Sequence, residues 1–319
     1  MTTLLAVPNV SEGRDPDAIR AIVKAFEGLR DDAGARASPR EQAGAFTAPR
    51  GQVSATATRL LDLHSDADHH RSVFTLAGEP GRLAGPVTCG AREAMRRIDL
   101  ARHIGIHPRV GAIDVAPIVY LDERDRGPAI AEALVLADTL GHELGLPVFL
   151  YGELADGRTR AQIRNGGLAA LAERIANGEL RPDFGPMRLH PTAGAVLVAA
   201  RPPLVAFNVE LASPATVEDA RAIAAKIRQG GPEGLVSVRA IGLWLAHRGV
   251  AQVSTNVEDH RATPLREIVS AVARHARASA AELVGLAPRV AFDGFPDDVP
   301  VRGRATIEDA IAATPSKLS

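Results

Sequence analysis

The sequence predicts an α+β protein made of two ferredoxin-like (split βαβ) subdomains with mixed or antiparallel sheets and a ligand groove between them. Both halves place apolar runs of strand length and stretches of helical spacing in the order strand, helix, two strands, helix, strand. The 319 residues are enough for two packed cores. A stretch rich in proline and glycine at 181–186 separates the halves, which predicts subdomains at 1–181 and 182–319.

The first half opens with an apolar strand at residues 4–10. Asp15 and Pro16 form a helix start, a capping carboxylate followed by proline in the first turn, so a helix is predicted over 18–29. Residues 30–58 have few large aliphatic side chains and no helical or strand periodicity of hydrophobic residues. This composition predicts a mobile insertion, with an ordered irregular loop as the alternative. The later elements are strands at 60–63, 72–77, 113–121 and 147–151 and helices at 81–99, 128–144 and 159–176, and the glycines at 166–167 interrupt the last of these helices.

The second half repeats this order of elements. Ser213 and Pro214 begin one predicted helix, and Thr263 and Pro264 begin another. The turn at 247–249, which contains glycine, predicts a hairpin. The predicted elements are strands at 195–200, 204–211, 235–246 and 250–257, helices at 213–229, 263–279 and 306–313, and short apolar runs at 283–286 and 290–292.

The composition argues against several classes of function. The chain carries 37 basic and 38 acidic residues, so it has no general positive charge for binding nucleic acid. Cys89 is the single cysteine, which rules out an intramolecular disulfide and argues against a zinc site made of cysteines. No apolar run reaches the roughly 18 residues that span a bilayer, and the N-terminus lacks the basic start of a signal peptide. We therefore expect a cytoplasmic protein with no membrane and no nucleic-acid partner.

The segment 102–114 is the strongest candidate site, because it concentrates histidines, arginines and glycines just before an apolar strand. His107 precedes Pro108, which disfavours helical geometry and places this imidazole on an extended loop. The neighbouring Arg102 and Arg109 favour the neutral imidazole, which is the form that a general base requires. His103 is a candidate partner. This segment therefore predicts acid–base chemistry at His107.

Other polar clusters leave several interpretations open. The turn at 62–71 could hold a metal ion, but its spacing fits no standard zinc signature, so a polar turn facing a ligand is favoured over a solvated loop. Its side chains are Asp62, His64, Asp66, Asp68, His69, His70 and Arg71. The loop at 185–194 either offers main-chain groups to a ligand or merely connects the subdomains. Asn208 lies on a predicted strand, facing either a ligand or water.

Six short motifs, in order along the chain, resemble those of one enzyme family. They are VPNVSEG at 7–13, HPRVGAID at 107–114, VFLYGE at 148–153, DFGP at 183–186, AFNV at 206–209 and QVSTN at 252–256. On these residues the chain is similar to glutamate formiminotransferase, the formiminotransferase domain of the formiminotransferase-cyclodeaminase family.

The resemblance implies transfer of a formimino group between N-formimino-L-glutamate and tetrahydrofolate, in histidine degradation. It implies a homodimer with tetrahydrofolate as co-substrate, no metal, and His107 as the catalytic base. The implied folate-binding residues are Gly185, Pro186, Met187, Arg188, Leu189, His190, Pro191, Thr192, Ala193 and Gly194. The candidate residues for binding the substrate are His70, Arg71, Arg102, His103, Arg109 and Asn208.

Two departures from the family pattern concern the substrate. His64 stands where the family carries an acidic residue, and His70 stands where it often carries asparagine. Alternatives to formimino transfer are therefore kept: formyl transfer from N-formyl-glutamate or 5-formyl-tetrahydrofolate, and a folate-binding protein without activity. A third alternative is metal-dependent amidohydrolysis on the histidines His64, His69, His70 and His107.

Overall fold

A computed structural model of the chain describes residues 2–28, 58–105 and 108–313. The predicted insertion, apart from Thr58, and His107 lie outside these ranges. The strands are β1 Leu4–Ala6, β2 Asn9–Val10, β3 Arg59–Asp66, β4 Arg71–Gly78, β5 Ile113–Tyr120, β6 Val148–Leu150, β7 Val196–Arg201, β8 Val205–Leu211, β9 Val238–Leu245, β10 Val250–Val257, β11 Ala278–Val284 and β12 Val301–Arg302. The helices are α1 Pro16–Phe26, α2 Ala84–Arg97, α3 Arg126–Glu143, α4 Arg160–Arg164, α5 Gly167–Ala176, α6 Val217–Ile227, α7 Leu265–Ala273 and α8 Ile307–Ala312.

The first sheet has seven strands and contains a ferredoxin-like unit. β1 and β2 both lie between β4 and β5, and β3 pairs with the outer side of β4, all in antiparallel fashion. Beyond β5, the strands β7 and β6 extend the sheet through parallel pairing. The helix α3 connects β5 to β6, since strands that run in one direction need a crossover. The result is a mixed sheet.

The second sheet has five strands in the order β12, β11, β8, β10, β9. Its first four strands in the chain, β8 to β11, are antiparallel neighbours with α6 and α7 in the connections, which is again the split βαβ arrangement. The short strand β12 adds a parallel edge to β11. The predicted α+β class with two ferredoxin-like subdomains is therefore confirmed.

The two sheets meet at a different point from the predicted boundary at 181/182. β7 belongs to the first sheet, because Val115 to Val119 of β5 pair with Leu197 to Arg201. β8 begins the second sheet at Val205. The division between the sheets therefore lies at residues 202–204. The proline- and glycine-rich stretch at 181–186 precedes β7, and the parallel pairing of β7 with β5 keeps that strand in the first sheet.

Local geometry explains the other differences from the predicted elements. The strand predicted at 4–10 is interrupted at Val7 and Pro8, since proline has no N–H to donate to a neighbouring strand. Helix α6 begins at Val217 rather than at Ser213, and Thr216 caps it by accepting from the N–H of Asp219. By contrast, the interruption predicted at 166–167 within the helix over 159–176 is present, and Gly166 there has a left-handed φ of 77°.

The helix predicted over 263–279 also ends early. Helix α7 stops at Ala273, and β11 begins at Ala278. The sequence predicts residues 278–279 as the tail of that helix and residues 283–286 as a separate apolar run. In the structure, residues 278–284 form one strand that pairs with β8. Pairing with a central strand here overrides the helical preference of alanine.

Helices cover one face of each sheet, and α4 and α5 also cover the opposite face of the first sheet at β6 and β7. In the first subdomain α1, α2 and α3 cover a core that includes Phe26 and Phe74, whose ring centres lie 4.9 Å apart. The buried carboxylate of Glu132 on α3 accepts hydrogen bonds from the N–H groups of Leu83 and Ala84, at 2.9 and 2.7 Å. This carboxylate satisfies N–H groups at the start of α2 that have no partner within the helix. Among the described helices, none is both long and apolar enough to cross a bilayer.

Candidate functional site

A cleft of about 1100 Å³, including the open space at its mouth, lies between the two sheets. Side chains alternate along each strand, so the residues next to the core residues point into the cleft. Phe207 packs in the second core, whereas Ala206 and Asn208 beside it line the cleft. The first sheet lines the cleft with apolar side chains and with charged or polar ones: Leu5, Val73, Val115 and Val119, and Asn9, His64, Asp66, Arg71, Thr75 and Arg201. The strands of the second sheet contribute only uncharged residues to the lining, so the charge of the cleft comes from the first subdomain.

Four arginines line this cleft: Arg71, Arg160, Arg164 and Arg201. Arg71 begins β4, and its guanidinium donates to the side-chain oxygen of Asn9 on β2. Burial lowers the pKa of Arg71 to about 9, which still leaves it cationic at neutral pH. Burial also lowers the pKa of Arg201 at the end of β7. The cleft therefore holds cations that are partly stripped of water.

Two of these arginines come from the short helix α4. Arg160 and Arg164 are four residues apart and so share one helix face. Arg164 is paired with the carboxylate of Asp114, which is almost fully buried at 2% exposure. The guanidinium of Arg160 lies 5.6 Å from the centre of the Tyr151 ring, a cation–π contact. Helix α4 therefore directs both positive charges towards the cleft.

The charge of the arginines is only partly balanced by their surroundings. Asp114 neutralises Arg164, and Glu258 lies 3.8 Å from Arg160. The buried Nε atoms of Arg164 and Arg201 have no hydrogen-bond partner within the described part of the chain. Donors that are buried without a partner are costly, and an anion in the cleft would balance the charge of these guanidinium groups. The cleft is therefore built to receive negatively charged groups.

The backbone just before residues 106 and 107 is held by side chains. Three successive carbonyl groups accept hydrogen bonds there: Arg109 donates to His103 and Gly105, at 2.6 and 3.0 Å, and a ring nitrogen of His70 lies 2.9 Å from the oxygen of Ile104. The rings of His70 and His103 stack with centres 4.0 Å apart. This arrangement fixes the main chain on one side of His107.

Two ionisable groups near this backbone have shifted pKa values. Burial, together with the charge of Arg109, lowers the pKa of His103 to about 4, so its ring is neutral at pH 7. Burial raises the pKa of Glu12, but hydrogen bonds from the N–H groups of Arg14 and Asp15 and the proximity of His70 lower it overall. Glu12 is therefore an ionised carboxylate, 3.1 Å from the other ring nitrogen of His70.

The structure divides the predicted substrate-binding residues into three groups. Arg71 and Asn208 line the cleft. His70 and Arg109 instead contact the backbone of residues 103–105, and the ring of His103 contacts the main-chain oxygen of His70. None of these three residues lines the cleft. The third group comprises Arg102 alone, which is exposed and does not line the cleft.

The predicted folate-binding residues 185–194 form a largely exposed loop beside the segment 100–112. Thr192 accepts a hydrogen bond from the N–H of Leu100 at 2.8 Å, and Ala193 accepts one from Ala112 at 2.9 Å. Met187 is about half exposed to solvent. None of these ten residues lines the cleft described above. Their described contacts are with residues on both sides of 106 and 107.

The hairpin between β9 and β10 joins the two subdomains at one end of the cleft. His247 contacts Asp68 at 2.7 Å, and Arg248 contacts Asp66 at 2.9 Å. Burial raises the pKa of Asp66, but His69 and Arg248 lower it overall, so this carboxylate is ionised. The polar turn at 62–71, open to three interpretations from sequence, therefore contacts the second subdomain and contributes His64, Asp66, His69 and Arg71 to the cleft.

Sequence reasoning missed Arg160, Arg164, Arg201 and Asp114 as site residues. Arg160 and Arg164 carry a signal, since their spacing of four on a predicted helix places both charges on one face. Arg201 carries none, because only the pairing of β7 with β5 places the end of β7 at the cleft.

Two family models match the chain, and together they cover both sheets. The first is described as the formiminotransferase domain, N-terminal subdomain, and matches residues 3–201; the second, the formiminotransferase domain, matches residues 206–293. The chain belongs to the formiminotransferase family. The break between the two matched ranges coincides with the break between the two sheets at residues 202–204.

Curated members of this formiminotransferase family are similar over most of the chain. Formimidoyltransferase-cyclodeaminase from Gallus gallus is 35% identical over 90% of the chain, and that from Sus scrofa is 34% identical over 88%. The chain spans 50% and 49% of these two proteins. Glutamate formimidoyltransferase from Streptococcus pyogenes serotype M1 is 33% identical over 90% of the chain and 89% of its own length.

Proposed function

We propose that the protein transfers a formimino group from N-formimino-L-glutamate to tetrahydrofolate, giving 5-formimino-tetrahydrofolate and glutamate, a step of histidine degradation. The observation that carries the proposal is the cleft with four arginines in a chain of the formiminotransferase family. The donor is a dicarboxylate, and guanidinium groups bind carboxylates through paired, charge-assisted hydrogen bonds. The names of the relatives from Streptococcus and Thermoplasma, both glutamate formimidoyltransferases, support the same reaction.

We assign the carboxylates of the donor to Arg71, Arg164 and Arg201. These side chains lie on three different elements around the same cleft, so they can bind two carboxylates from several directions. Asn208, on the wall formed by the second sheet, is available for a further polar group of a substrate.

His107 is our proposed general base, with tetrahydrofolate as co-substrate. The N5 amine of tetrahydrofolate attacks the formimino carbon and forms a new C–N bond, while His107 accepts the N5 proton. The tetrahedral intermediate then breaks the C–N bond to glutamate, and His107 returns the proton to the departing nitrogen. Binding both substrates side by side supplies much of the acceleration through orientation. No step of this transfer requires a metal ion.

For the acceptor we propose the loop at 185–194 as part of the folate site. Its support is its position, since it contacts the backbone on both sides of residues 106 and 107 through Leu100 and Ala112. A pterin bound there would lie next to the proposed base. We also propose a homodimer, as the family resemblance implies, and a cytoplasmic location, as the sequence leads us to expect; light scattering on the purified protein measures the assembly state.

The test is an assay with purified protein, tetrahydrofolate and formiminoglutamate. Acid converts 5-formimino-tetrahydrofolate into 5,10-methenyl-tetrahydrofolate, which absorbs light and can be followed directly. We expect this product with formiminoglutamate and little or none with N-formyl-glutamate. Efficient use of the formyl donor would favour formyl transfer instead. Loss of activity on treatment with EDTA would favour the metal-dependent alternative, and tight folate binding without transfer would favour a binding protein.

A further inference from the structure

The imidazole ring of His70 lies between two groups that can only accept hydrogen bonds. One ring nitrogen is 2.9 Å from the main-chain oxygen of Ile104, and the other is 3.1 Å from the carboxylate of Glu12. Glu12 is ionised and also accepts from the N–H groups of Gly13, Arg14 and Asp15. Neither partner can donate, so both ring nitrogens must carry a proton for both contacts to be hydrogen bonds.

His103, which stacks on His70, is in the opposite state. Its Nε2 atom lies 3.2 Å from the main-chain oxygen of His70, so Nε2 carries the proton. Its Nδ1 atom is buried without a hydrogen-bond partner among the described residues. The pair is therefore a neutral ring against a cationic ring, an arrangement that is favourable because the flat face of an aromatic ring attracts a cation.

The backbone of His70 also has an unusual conformation. Its φ is +50°, in the left-handed region, which few residues other than glycine adopt. Strain of this kind persists only where the surroundings hold the residue in place, and it is common at functional sites. Here the turn directs the ring of His70 between Glu12 and Ile104.

Arg109 completes the arrangement from the other side of residues 106 and 107. It donates to the carbonyl groups of His103 and Gly105, so cationic side chains hold all three carbonyls of residues 103–105. We infer that His70 and Arg109 are positioning residues: a doubly protonated His70 and Arg109 clamp the main chain next to His107. The inference rests on the proposed role of His107, and it replaces the substrate-binding roles that the sequence predicted for both residues.

Nuclear magnetic resonance of protein labelled with ¹⁵N-histidine tests the clamp independently of activity. The two protonation states of an imidazole give distinct nitrogen shifts. His70→Asn identifies the His70 signals by their loss, and His142→Asn, at an exposed position on α3, is the control variant. At pH 7 we expect both nitrogens of His70 to be protonated and His103 to be neutral with its proton on Nε2. A neutral His70 ring would overturn the clamp, even if the protein were inactive.

Kinetics then test the positioning role. In His70→Asn, the amide can replace only one of the two opposed donors. We expect kcat to fall by about tenfold or more, while KM for the donor changes by less than about threefold, because misplacing a base slows the reaction more than it weakens binding. His142→Asn should match the wild type. An active His70→Asn enzyme with unchanged kcat would overturn the positioning role, whereas an inactive wild type would count against the proposed function alone.

Discussion

The carboxylate of Asp114 connects the arginine-lined cleft to the backbone that follows His107. One oxygen is paired with the guanidinium of Arg164, and the other accepts a hydrogen bond of 2.8 Å from the N–H of Val110. Asp114 is buried, so water cannot replace either partner. A change in the position of Arg164 is thus transmitted to the loop that carries the proposed base.

Replacing Asp114 with asparagine should therefore affect both stability and rate. The substitution leaves Arg164 buried without a counter-charge, and breaking a buried ion pair in this way costs about 3 kcal/mol or more. Urea denaturation measures the loss, and we expect kcat to fall as well. The matched control is Asp122→Asn, since Asp122 pairs with Arg124 at the surface. If both variants unfolded at the wild-type urea concentration, the buried pair would not have the importance assigned to it.

Stability should decrease in mild acid because of His103. Its pKa is about 4 in the folded protein and about 6.5 in an unfolded chain, so the unfolded state binds more protons between these values. The contribution of His103 is therefore complete above pH 6.5 and is lost as the pH falls towards 4. Comparing the urea midpoints of the wild type and His103→Gln across this range isolates the effect. Parallel pH curves for the two proteins would show that His103 is not the group responsible.

His107→Ala should abolish transfer without preventing binding of the donor. General base catalysis contributes about 10²- to 10⁴-fold, so kcat should fall by at least about a hundredfold. Titration calorimetry with formiminoglutamate should give an affinity close to that of the wild type, because the donor is assigned to the cleft arginines. Turnover within a few-fold of the wild type would exclude His107 as the base.

The sequence was sufficient to predict the fold class because both ferredoxin-like units repeat one order of elements. The spacing of hydrophobic residues along the chain also distinguishes helices from strands. It failed where tertiary pairing decides the outcome. The alanine-rich stretch at 278–282 has a helical composition but completes the second sheet beside β8. Likewise β7 pairs with β5 across three intervening helices and a strand, which no local pattern encodes.

The candidate site was predictable only in part, for a similar reason. Motifs identified the segment around His107, because a cluster of polar residues within one turn is visible in the sequence. Arg71 is among the candidates that the sequence predicts, but Arg164 and Arg201 lie far from it along the chain, and each alone has the pattern of an ordinary surface charge. Only the fold shows that they share a cleft, and only side-chain contacts show that His70 and Arg109 hold the main chain.

The most direct test of the central claim is the KM for formiminoglutamate in the Arg201→Gln variant, at saturating tetrahydrofolate. Losing a charge-assisted pair with a carboxylate should raise this KM by about tenfold or more. The KM for tetrahydrofolate should stay within about twofold, and Arg221→Gln, on the exposed face of α6, should match the wild type in both values. An unchanged KM for the donor, or an increase confined to tetrahydrofolate, would contradict the assignment of the cleft arginines to the donor's carboxylates.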